Sequence, residues 1–268
     1  MTKRKQPIPS KVQKIAPIDL LPTKLKQAFE LHKKGDYVGA VTYLKGIISS
    51  NPPDWRLLYQ YADSLCKLRK FDEARLALDE AVRLNDHHAQ TYNLRGITLL
   101  ETGKHLEATV DFEQALKIDP NFLSCYVNLS IAFERGGYYS EAIFCCKTAL
   151  AKNKKFTEAW INLGTSYIGL GDLPSAIDAF EQVLSYEPNF TEAHYNRSLC
   201  YLMGGNFLDG WAEYEWRTKR KQAPITLRNF KTPKWDGTID ASKLLFVWPE
   251  QGIGCLLYTS DAADDTPC

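Results

Sequence analysis

Several things are scarce in this sequence. No apolar run approaches the roughly 18 residues needed to cross a bilayer, so no membrane-spanning helix is expected. An excess of either charge is missing too: 33 Lys and Arg stand against 32 Asp and Glu, a formal net charge of +1. That balance sets up no whole-molecule field to draw in nucleic acid or an anionic membrane. Seven cysteines are present, but none are spaced Cys-x-x-Cys, so no zinc or redox motif is legible. Cys66, Cys125, Cys145, Cys146 and Cys200 fall inside predicted helices and read as small core residues with free thiols. Reduced thiols imply a cytoplasmic setting. Residues 1–19 lack the apolar core of a secretory signal. They carry Lys3, Arg4, Lys5, Lys11 and Lys14 with no acid before Asp19, and read as a disordered basic tail. None of the histidines His32, His87, His88, His105 and His194 has a nucleophile placed beside it by spacing, and His87-His88 reads as a solvated pair. No catalytic residue, metal ligand or cofactor site is therefore expected.

What is present is a period. Residues 157–190 hold two apolar-periodic segments separated by Gly171-Asp172-Leu173-Pro174 and closed by Glu187-Pro188. Trp160, Leu163, Tyr167 and Leu170 share one helical face, predicting a helix over 159–170. Pro174 suits the first turn of a second helix, which carries Ile177, Phe180, Val183 and Leu184 on one stripe and stops before Pro188. The pattern recurs every 34 residues. The small residue Ala176 maps back to Ala142, Ala108, Ala74 and Ala40, and forward to Gly210. The turn glycine Gly171 maps to Gly137, Gly103, Gly35 and Gly205, with Arg69 in the second repeat. Six helix-turn-helix repeats fit from about Leu21 to Arg217. A repeat of this size cannot bury its own apolar face and needs neighbours.

The residues Trp160, Leu163, Gly164, Tyr167, Ala176, Phe180 and Pro188 resemble the signature of the tetratricopeptide repeat. The resemblance implies an all-α, right-handed superhelical solenoid of about six such repeats, spanning 20–217, with first helices lining a concave groove. Two residues after the first-helix anchor, the last three repeats carry Asn128, Asn162 and Asn196, and the earlier ones Leu94, Gln60 and Lys26. An asparagine amide both donates and accepts, so a ladder of them can pair with the backbone of an extended peptide. The arrays of O-linked N-acetylglucosamine transferases use asparagines at this place, and the resemblance implies the same use here. The alternative is that these amides bond neighbouring turns or water. Tyr59, Asn93, Ile131, Glu134, Arg135 and Tyr195 are further groove candidates, too mixed to form a clamp for a C-terminal carboxylate. The expected partner is a protein or extended peptide, not nucleic acid or membrane; a helical-repeat RNA binder would show a 35-residue period and a basic face. Oligomeric state is not legible.

The last repeat departs from the pattern. Trp211, Tyr214 and Trp216 crowd its second helix, where a terminal repeat would present a polar face. After a linker over 218–242 comes Lys243-Leu244-Leu245-Phe246-Val247-Trp248, which reads as a buried strand, then a glycine loop to Gly254. Gly210–Arg217, Trp235–Gly237 and Leu244–Gly254 together resemble the junction of bacterial proteins in which tetratricopeptide repeats precede a glycosyltransferase-like domain. The resemblance implies an incomplete α/β start over 243–254. It also implies a parent in which the repeats recruit substrate to a sugar-nucleotide-dependent transferase. That family has Asp where this chain has Cys255, and 255–268 looks like a translated sequencing adapter. The chain itself is expected to bind rather than to catalyse.

Overall fold

A computed structural model describes residues 21–52 and 54–220. The expected tail, the linker beyond Arg220, the strand over 243–254 and the segment 255–268 lie outside the described residues. Among the described residues the chain is all-α. The helices are α1 (Leu21–Lys33), α2 (Tyr37–Ser50), α3 (Trp55–Lys67), α4 (Phe71–Leu84), α5 (Ala89–Glu101) and α6 (His105–Ile118). They continue as α7 (Leu123–Arg135), α8 (Tyr139–Lys152), α9 (Thr157–Leu170), α10 (Leu173–Tyr186), α11 (Thr191–Met203) and α12 (Phe207–Tyr214), then a 3-10 turn at Glu215–Lys219. This is the tetratricopeptide solenoid arrangement of consecutive helix pairs. Helix α9 begins two residues earlier than its apolar pattern suggests, because Phe156 caps it with extended backbone.

The turns repeat for a backbone reason. Gly35, Gly103, Gly137, Gly171 and Gly205 all sit near φ +80, in the left-handed region that glycine enters without a Cβ penalty. The residue after each donates its N–H to the carbonyl five positions back, for example Asp36 to Leu31 at 3.0 Å and Asp172 to Tyr167 at 3.0 Å. That bond satisfies an otherwise orphaned carbonyl at the helix end. Arg69 holds the same conformation at φ 58 without being glycine. Its side chain is mostly exposed, and its contact with Glu101 at 3.6 Å is a surface ion pair of little worth. Arg69→Gly is therefore expected to stabilise the protein by about 0.5–1 kcal/mol, read as a raised denaturation midpoint at unchanged slope.

The chain divides between Ala176 and Ile177, inside α10, into an N-terminal and a C-terminal body. In the N-terminal body successive helices pack in order from α1 to α9. The core is written at fixed repeat positions. Ala40, Ala74, Ala108 and Ala142 are fully buried, so each second helix lies close on its partner. Four residues on, Leu44, Leu78, Phe112 and Cys146 are fully buried as well. In the C-terminal body α11 packs on α12 and on the 3-10 turn. There Gly210 leaves no room for a side chain, since an added Cβ would meet Leu202 at 2.7 Å. Trp160, read as an anchor, is only half-buried, with its indole N–H donated to the Lys154 carbonyl at 2.8 Å; Leu170 is 51% exposed.

Candidate binding face

The first helices of the N-terminal body form one wall. Helices α1, α3, α5 and α7 each touch the next first helix along, up to α9, whereas α4, α6 and α8 do not touch one another. First helices are therefore drawn together and second helices splayed, which makes the first-helix side the concave one in this body.

Most of the residues singled out for the groove lie on α3, α5, α7 and α9. The Asn128 amide donates to Asn93 Oδ1 at 2.9 Å, joining α7 to α5. Asn162 donates to the Glu158 carbonyl of its own helix at 2.9 Å in an exposed setting, leaving its Oδ1 as an acceptor. The two amides thus do different things: Asn128 stitches neighbours, and Asn162 stays open. Arg135 donates to the Leu100 carbonyl at 3.1 Å and lies 3.9 Å from Glu101, so it too bridges repeats. Tyr59 packs edge-on against His88, and burial pushes its phenol up to about 12.

Glu134 is the electrostatically distinctive member. Burial raises its carboxyl above the ordinary 4.5, although it accepts from Thr165 Oγ1 at 3.1 Å. A raised folded value means that the folded state holds the proton more tightly than the unfolded one. The associated stability is present below the unfolded value and is lost as pH rises through the folded one. Glu134→Gln keeps an acceptor for Thr165 and is expected to raise the melting temperature at pH 7. That gain should shrink as pH falls toward 4.5, as paired thermal melts would show.

In the C-terminal body, Asn196 is half-buried and makes no side-chain hydrogen bond among the described residues. Tyr195 is covered: the Arg220 guanidinium stands 4.1 Å over its ring, and Tyr214 packs at 5.7 Å. His194 stacks on Trp216 at 4.0 Å.

His88 corrects the expectation of a solvated histidine pair. His87 is exposed, but His88 packs on Trp55 at 4.5 Å and bonds Thr91 at 2.8 Å, and burial pushes its imidazole down. Cys125, Cys145, Cys146 and Cys200 are buried and Cys66 half-buried. Burial pushes these thiols up to about 11 or 12, so they stay protonated and unreactive. Among the described residues no group of three or more His, Cys, Asp or Glu could hold a metal, and no helix is long and apolar enough to cross a membrane.

Residue-by-residue reading missed an ion triad. Arg95 donates to Asp111 at 2.6 and 2.7 Å and to Asp79 at 3.1 Å, tying α5 to the second helices on both sides. Three repeats later Arg197 does the same with Glu213 and, at 3.3 Å, Glu181. The signal was available: both arginines have acids sixteen residues before and after.

Three segments match the family described as tetratricopeptide repeat: residues 31–96, 89–122 and 161–215. With this fold and these repeats, the chain belongs to the tetratricopeptide repeat proteins. It is similar in fold to PilW, a type IV pilus biogenesis factor, with 20% identity, TM-score 0.68, and coverage of 74% of this chain and 91% of that one. A tetratricopeptide repeat protein from Parabacteroides merdae matches at 19% identity and TM-score 0.65, covering 74% and 78%. YrrB, described as having an unusual peptide-binding site, matches at 21% identity and TM-score 0.52, covering 65% and 89%. No curated protein matches this sequence.

Proposed function

We propose that the chain is a peptide-binding scaffold whose ligand lies along the first helices of the N-terminal body. The carrying observation is the side-by-side contact of α3, α5, α7 and α9, which presents one continuous face of mixed polar and apolar side chains. Asn162 offers a free acceptor to a peptide N–H, and Ile97 on α5 and Ile131 on α7 offer half-buried apolar footing on the same run of first helices. Arg135 and the Asn93–Asn128 pair set the polar edges. The peptide-binding description of YrrB supports this reading by analogy of fold.

The test is Asn162→Ala, probed with the tightest peptide selected from a random library. One lost hydrogen bond corresponds to an affinity drop of about two- to tenfold. The melting temperature should hardly move, because the amide bonds only its own helix and the residue is not buried. A lowered melt with unchanged affinity would show that the amide serves only its own helix.

A second reading extends the first. Met203, Phe207, Leu208 and Trp211 are 61%, 61%, 84% and 59% exposed around the α11–α12 turn. An apolar cluster of that kind favours a following domain, with the repeats recruiting substrate to a sugar-nucleotide transferase whose first strand is 243–254. Transfer or hydrolysis of a sugar nucleotide by a protein translated through the uninterrupted frame would test it. The cytoplasmic setting remains part of this proposal, since protonated free thiols suit a reducing compartment.

A further inference from the structure

The splayed second helices carry a feature unrelated to the inner wall. Leu76 on α4, Val110 on α6 and Phe144 on α8 occupy the same repeat position and are 63%, 65% and 71% exposed. The repeats before and after carry Thr42 and Asp178 there. Three large apolar side chains in register on a solvent face, bounded by polar residues at both ends, are more than scattered surface hydrophobics.

A row of carboxylates runs beside the stripe. Glu73, Glu107 and Glu141 stand three residues, under one helical turn, before each apolar residue, and all are exposed. Glu73 and Glu107 meet only Lys70 and Lys104, at 3.6 and 3.8 Å, the residues just before their own helices, while Glu141 has no ion partner among the described residues. Such exposed pairs hold little energy and give way readily to a better-placed cation. Arg83 and Lys117 lie toward the far ends of α4 and α6 and Lys147 stands three residues after Phe144 on α8, so each apolar residue has its glutamate on the N-terminal side of its helix. Between α4 and α6, over Leu99 of α5, opens a cleft of about 280 Å³ with Glu107 and Val110 on its lining. Its other carboxylates, Asp79 and Asp111, are held by Arg95. Arg75 also lines the cleft and stands 3.0 Å from Asp79, so Glu107, with only the exposed Lys104 at 3.8 Å, is the carboxylate there most open to an incoming cation.

We infer that the outer face of α4, α6 and α8 docks a cationic amphipathic segment of a partner protein. Its apolar side chains cover Leu76, Val110 and Phe144, and its Lys or Arg side chains lie along Glu73, Glu107 and Glu141. One-sided charge fixes the direction in which the segment lies, and apolar cover supplies the affinity. The site is separate from the peptide face of the first helices.

The probe is a fluorescein-labelled 18-residue Leu/Lys amphipathic helix, read by anisotropy against the full chain, with a Leu/Glu helix as control. The Leu/Lys probe should bind, more weakly as salt rises, and the Leu/Glu probe should not. Val110→Ser with Phe144→Ser should weaken binding at least tenfold with an unchanged melt. Glu73→Gln, Glu107→Gln and Glu141→Gln together keep the apolar stripe, should weaken binding about fivefold and should flatten its salt dependence. Asn162→Ala should leave this binding untouched. Equal binding by the serine variant, or loss of binding with Asn162→Ala, would overturn the proposal. So would a concentration-dependent dimer in sedimentation velocity that the serine variant dissolves, since the stripe would then be occupied by a second copy.

Discussion

Phe112→Ala is expected to lower unfolding free energy by about 3–5 kcal/mol, the largest effect of any single truncation proposed here. Phe112 is fully buried in the N-terminal body, among Tyr92, Leu99, Ala108 and Cys125. Its ring also fills the space left by Gly96: a Cβ added there would sit 2.6 Å from the ring. The same pair of positions reads Ala62 with Leu78 in the second repeat and Ser130 with Cys146 in the fourth, all fully buried. The smallest residue accompanies the largest ring, and mid-sized residues accompany each other, so volume at this contact is shared between the two helices. Gly96→Ala alone should cost about 1–3 kcal/mol by overpacking. Gly96→Ala with Phe112→Leu copies the second repeat and should cost less than about 1.5 kcal/mol, because total volume is nearly conserved. Urea titrations of the single and double variants would measure the coupling.

Arg95→Leu should cost about 3 kcal/mol, for a different reason. Leucine itself suits the site, since Leu129 and Leu163 stand at that position in later repeats and are buried. The damage comes from Asp111, whose side chain is 6% exposed and would lose both of its guanidinium bonds. A buried carboxylate without its cation must stay charged at high cost or take up a proton. Adding Asp111→Ala should therefore restore stability to within about 1 kcal/mol of the parent, since later repeats carry Cys145 and Ala179 there, both buried. A double variant no more stable than Arg95→Leu alone would show that the triad adds net stability beyond satisfying its own charges.

Much of the architecture could be read from the chain because it depends on local signals repeated in register. Gly103 and Gly137 announce a left-handed turn, Ala108 and Ala142 announce close helix approach, and a spacing of 34 repeats both signals along the chain, with Arg69 and Gly210 as the exceptions. What escaped reading depends on which side chains meet across repeats. Asn128 and Asn162 look alike in sequence, yet Asn128 finds Asn93 on the neighbouring helix while Asn162 turns to its own Glu158. Leu94 stands one repeat before Asn128 at this position, and an amide needs a polar neighbour on the next helix to be captured. The packing of Arg220 over Tyr195 is not legible from the repeat pattern, because Arg220 lies beyond the last repeat. His88 was misjudged because adjacency to exposed His87 says nothing about Trp55 on the preceding first helix.

The inner wall as binding face is tested most directly by hydrogen exchange on the full chain, with and without the tightest peptide from a random library. Protection on binding should concentrate in α5, α7 and α9, with Asn162→Ala reducing it. Protection confined to α4, α6 and α8 would contradict the inner wall as the principal site.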